Sequence, residues 1–158
     1  MMTGAIGLLM LLQPVAPATP PPPAPDIAAA VAAAALPPLD GTAFRFTDIA
    51  VGGRAATVFD ARRTATATQR TVVSLSAGPA GWTVDDRETR RLAAETFDYM
   101  SGRIATAIAK GGPATPCPDG ADYLSERADA GSVKTLHGCG ADHPNLALAR
   151  LFGVRETP

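Results

Sequence analysis

The chain has 158 residues, with 14 basic and 15 acidic side chains and a formal net charge of −1. That length fits one domain of ordinary size. Its basic residues are dispersed, only Arg62-Arg63 and Arg90-Arg91 being adjacent, which excludes the clustered positive surface that nucleic acid requires.

Residues 5–12 form a compact apolar stretch interrupted only by Gly7, about half of what a membrane-spanning helix needs. Ala16-Pro17-Ala18 then supplies a small-x-small pattern, so residues 1–18 read as a signal peptide cut after Ala18. No Lys or Arg precedes the apolar core, which is the one departure from the usual signal. Residues 19–25 are rich in proline, which lacks the amide donor and fixes φ, so they read as an extended spacer. The remainder, 26–158, reads as a single domain, periplasmic or secreted, with no transmembrane segment in the mature chain.

Asp26 is an N-cap candidate for an alanine-rich helix over 27–36, stopped by Pro37-Pro38. Residues 42–76 predict three antiparallel strands. Phe44 and Phe46 alternate with Arg45 and Thr47, Gly52-Gly53 marks one turn, and the polar run 60–63 marks the next. On the third strand Val73 and Leu75 share a face, with Val72 on the other. A loop is expected over 78–81. Asp85, with Glu88 three residues on, has capping-box spacing, and Asp86 adds favourable charge at a helix start. From there Ala93, Phe97, Met100, Ile104 and Ile108 recur at helical spacing, and Gly111-Gly112-Pro113 ends the pattern.

Tyr123 to Arg127 and Ser132 to His137 read as a hairpin flanked by Cys117 and Cys139. Asp142 and Pro144 open a short last helix with Leu148, Leu151 and Phe152 on its apolar side. The expected class is α+β: a small antiparallel sheet packed against one long helix, with a C-terminal disulfide-linked hairpin and a short helix. Aromatics are 5% of residues, so the core is expected to rest on Phe44, Phe46, Phe59, Trp82, Phe97, Tyr99, Tyr123 and Phe152.

Two cysteines in an exported chain are expected to pair, and the ends of a hairpin would bring Cys117 and Cys139 together. His137, Cys139 and His143 are the only residues of a type and spacing that suit zinc, joined by Asp142 or Cys117. A hydrolase would have to use His137 or His143 as its base, oriented by Asp142, with one of Ser74, Ser76, Ser101, Ser125 or Ser132 as nucleophile. None of these serines lies in a Gly-x-Ser-x-Gly turn. Arg62, Arg63 and Arg70 could make a small basic patch. Asp119-Gly120-Ala121-Asp122 reads as a turn, since it lacks the glutamate a calcium loop requires. The expectation is therefore a non-enzymatic binding, inhibitory or structural domain, without cofactor, facing an envelope protein or cell-wall component. A small periplasmic hydrolase and a zinc-binding envelope protein are the alternatives.

Overall fold

In the computed structural model, residues 26–112, 121–129, 131–139 and 142–153 are described. The expected signal peptide, the spacer and Cys117 lie outside them. The first strand, β1 (Thr42–Ile49), is buried at every position after Thr42. It therefore occupies the centre of a sheet covered on both sides, and Arg45 and Thr47, opposite the phenylalanines, are buried as well. Around it run β2 (Ala55–Arg63), β3 (Thr68–Gly78), β4 (Gly81–Arg91), β5 (Asp122–Asp129) and β6 (Ser132–His137). They form one six-stranded sheet in the order β4-β3-β2-β1-β5-β6, and every pairing is antiparallel.

One face is aromatic. Phe44, Phe46 and Phe59 pack under Phe97, Met100 and Ile104 of the helix α2 (Ala94–Lys110), and beside Leu148 of a shorter helix, α3 (Pro144–Leu151). Phe152 closes this cluster, its ring centroid 4.7 Å from Phe59 and 5.0 Å from Phe46. The other face is aliphatic. Ile49, Val58, Val73 and Leu75 meet Ile27, Ala30 and Ala34 from the N-terminal helix α1 (Ile27–Ala33) and its end. Asp26 caps α1 as expected, its Oδ1 accepting from the Ala28 amide at 2.8 Å. The helix stops earlier than its alanines suggest, because Ala35 turns to a positive φ of 46°.

The expected fold class is corrected by this topology. The sheet is the dominant element rather than a small platform for one long helix, and α2 is 17 residues long. Residues 81–91 are a strand, not the start of that helix. Asp85 caps nothing, Glu88 lies opposite Val72 in the ladder, and α2 begins after Ala93 without a side-chain cap. The run 60–63 continues β2 instead of turning. There the Asp60 charge is matched by Arg45, its register partner on β1, so a polar run can remain in a strand.

The reading of a disulfide-linked hairpin set apart from the sheet is corrected too. β5 and β6 are the end of the sheet, joined to β1 over six register pairs, and need no covalent clasp to be held there. The base of the hairpin is closed by the Gly138 amide on the Tyr123 carbonyl and by His137 on Asp122. No described cysteine is free, and Cys117 lies outside the described residues. Tyr99 also leaves the expected core, being 59% exposed on α2.

Candidate functional site

The two histidines, expected together, take different roles. His137 ends β6 half exposed, and its Nε2 lies 2.8 Å from Asp122 Oδ2 on β5. His143 is buried, 6% exposed, at the N-cap of α3. Its Nδ1 accepts from the Asn145 amide at 3.2 Å, so in the neutral ring the proton sits on Nε2. That atom is buried with no hydrogen-bond partner. It lies against Gly112, where even a methyl group would come within 2.6 Å of it. Burial first, and the nearby His137 second, hold the His143 pKa below its ordinary value. An imidazolium there would also lose the capping lone pair and face the positive end of a helix.

Asn145, which the sequence did not single out, ties this corner together. It is fully buried. Its Oδ1 accepts from Ser125 at 2.7 Å, and its Nδ2 reaches the carbonyls of Tyr123, Leu136 and Gly138 at 3.1–3.2 Å. The Asn145 side chain thus fastens α3 to the base of the β5–β6 hairpin. Its only sequence signal is its place just after Pro144 at a helix start.

These positions remove most of the expected chemistry. The Ser125 hydroxyl is committed to Asn145 and the Ser101 hydroxyl accepts from Arg127. Among the described residues no serine hydrogen-bonds to either imidazole. Asp142 is exposed and does not cap α3; the His143 ring does. For zinc, His143 has its Nδ1 occupied and its Nε2 enclosed, and Cys139 is not a free thiol. Among the described residues no group of three His, Cys, Asp or Glu could hold a metal ion. The arginines do not make one patch. Arg62 folds onto Asp60 and the carbonyls of Pro37 and Pro38, while Arg63 pairs with Asp98 and lies 4.6 Å over the Phe97 ring. No described helix is long and apolar enough to cross a membrane.

A second polar cluster, also unforeseen, lies on the aliphatic face. Arg45 and Asp60 form a buried ion pair at 2.9 Å, and Arg45 donates a further bond to the Pro37 carbonyl. Glu126, opposite Arg45 on β5, has a buried, unpartnered Oε2. Burial raises its pKa, with Arg45 opposing and Asp60 adding to the shift. The cluster pins the α1–β1 connection across the sheet.

The two edges of the sheet differ in what they offer a partner. At one end β4 carries six charged side chains between Asp85 and Arg91, and its register shifts at Ser74/Leu75. Charges and bulges are the usual means by which an edge strand is closed to further pairing. At the other end β6 keeps its register throughout, has Lys134 as its only lysine or acidic residue, and is exposed at every position but Leu136. The Gly138–Tyr123 bond fixes which groups face outward. Hydrogen-bonded pairs alternate along an antiparallel ladder, so Leu136 and Lys134 bond to β5, and Val133, Thr135 and His137 turn their amides and carbonyls away from the sheet. No protein-family model matches the chain, and no curated protein matches its sequence significantly.

Proposed function

We propose that this is an exported, non-enzymatic binding domain of the cell envelope, which takes up its partner as a strand added to β6. The observation that carries the reading is the asymmetry of the edges: β4 is charged and irregular, whereas β6 is regular, exposed and nearly uncharged. Strand addition draws its affinity from main-chain hydrogen bonds and its selectivity from alternate side chains. On β6 those are Val133, Thr135 and His137 on one face and Lys134 on the other. The apolar stretch 5–12 and the Ala16-Pro17-Ala18 pattern support export. Mass spectrometry of protein recovered from the envelope is expected to find Thr19 as the first residue.

The binding itself is tested with two proline variants. Thr135→Pro removes an outward donor from β6, and Thr89→Pro does the same on β4, where the Leu92–Thr68 bond places Thr89 outward. Proline is tolerated on an edge whose amide faces solvent. Capture of envelope partners is expected to survive Thr89→Pro and be lost with Thr135→Pro. Equal capture by both variants would reject β6 as the binding element.

A further inference from the structure

We infer that the strand received by β6 is the β6 of a second copy of this chain, paired antiparallel about a two-fold axis at Thr135. This rests on the strand-addition reading and names its partner. Because Val133, Thr135 and His137 face outward, a two-fold ladder can place them only opposite one another, and registers move in steps that keep that parity. With Thr135 opposite Thr135 of the second copy, Val133 lies opposite His137 and Lys134 opposite Leu136. Each outward residue then exchanges both of its main-chain hydrogen bonds, and a threonine pair sits at the centre, a favourable cross-strand combination. No like charges oppose. Shifting the register toward the N-terminus sets Lys134 against Lys134. Shifting it the other way leaves Val133 beyond the end of the partner's strand. The sequence of β6 is thus compatible with itself in one register that spans 133–137, whereas on β4 a two-fold pairing about Glu88 sets Glu88 against Glu88 and one about Thr89 sets Arg87 against Arg91.

The experiment is hydrogen exchange on the full chain recovered from the envelope, over a range of protein concentrations, with sedimentation equilibrium alongside. The expected result is a concentration-dependent dimer in which the amides of Val133, Thr135 and His137 become protected together. Those of Lys134 and Leu136 stay protected throughout by β5. Thr135→Pro is expected to remain monomeric and to keep at all concentrations the melting temperature that the native chain shows when dilute, and Thr89→Pro to dimerise as the native chain does. Should the three outward amides exchange freely in the pure protein at every concentration, yet become protected when envelope extract is added, the second copy is overturned while strand addition stands. Free exchange in both conditions overturns both. Loss of the dimer in Thr89→Pro but not in Thr135→Pro would place the interface on the wrong edge and overturn the inference.

Discussion

On one face of the sheet all five phenylalanines of the chain gather between β1, β2, α2 and α3. On the other, small aliphatic side chains share the space with an arginine, two carboxylates and a threonine whose Oγ1 is buried and unpartnered. The aromatic face is stabilised by the amount of apolar surface it removes from water, and it loses stability in proportion to what is cut away. The ionic face depends on completeness. Its charges are costly to bury, and their attraction offsets that cost only while every partner is present. The same sheet therefore has one face that should respond to mutation gradually and one that should fail abruptly.

The largest effect is expected on the ionic face. Asp60→Ala leaves Arg45 buried without its carboxylate and Arg62 without its anchor, and should destabilise by about 3–5 kcal/mol. The double change Arg45→Met with Asp60→Leu removes both charges and should cost far less than either single substitution, or nothing. Urea denaturation of the three variants provides the measurement. A double variant as unstable as the sum of the singles would show that this face, like the other, merely adds up contacts.

Next comes the aromatic face. Phe97→Ala should cost about 3–5 kcal/mol through lost transfer energy and the cavity left behind. Glu95→Ala, two residues away and exposed, should change stability by less than about 0.5 kcal/mol. Chemical denaturation that gave equal effects at the two sites would mean that α2 turns a different side to the sheet. Asn145→Ala should fall between these, at about 2 kcal/mol, because it strands the buried Ser125 hydroxyl and removes bonds to three carbonyls. Its signature should be local: faster amide exchange in α3 and at the base of the β5–β6 hairpin, with β2 and β3 unaffected.

What the sequence made legible follows from burial. The Phe97, Met100 and Ile104 stripe identified α2 because the helix buries one side only, and Val72, Val73 and Leu75 were assigned to the correct faces by strict alternation. β4 was hidden because it buries almost nothing. Trp82 and Val84 are its only large apolar residues, and Asp85, Asp86 and Glu88 imitate a helix start so well that the ladder with β3 could not be read from them. The buried place of Arg45 was hidden for the opposite reason. A strand covered on both faces has no solvent side, and alternation of Phe with Arg normally signals one. The His143–Asn145 corner rests on contacts between α3 and carbonyls 7 to 22 residues earlier in the chain, and no local pattern encodes those.

The smallest expected effects are slopes with pH, since one proton changes stability by at most about 1.4 kcal/mol per pH unit. They divide between β1 and the α3 corner. His143 is held below its ordinary value of 6.5 by burial. As the pH falls through 6.5 the unfolded chain takes up a proton that the folded chain refuses, so stability falls until the folded value is reached. Asp48 on β1 is raised by burial from 3.8 to about 6. As the pH falls through 6 the folded chain takes up a proton before the unfolded one, so stability rises until about 3.8. The two slopes oppose one another below pH 6 and partly cancel in the native protein. His143→Asn keeps a capping oxygen without a titrating ring, and should leave a chain whose melting temperature gains on acidification. Asp48→Asn should leave one whose melting temperature loses more steeply than that of the native chain. Thermal melts of the three proteins between about pH 7.5 and about pH 4.5, from above the ordinary histidine value of 6.5 to well below the Asp48 value of about 6, measure the difference directly. Parallel profiles for all three would mean that neither group changes its proton affinity on folding.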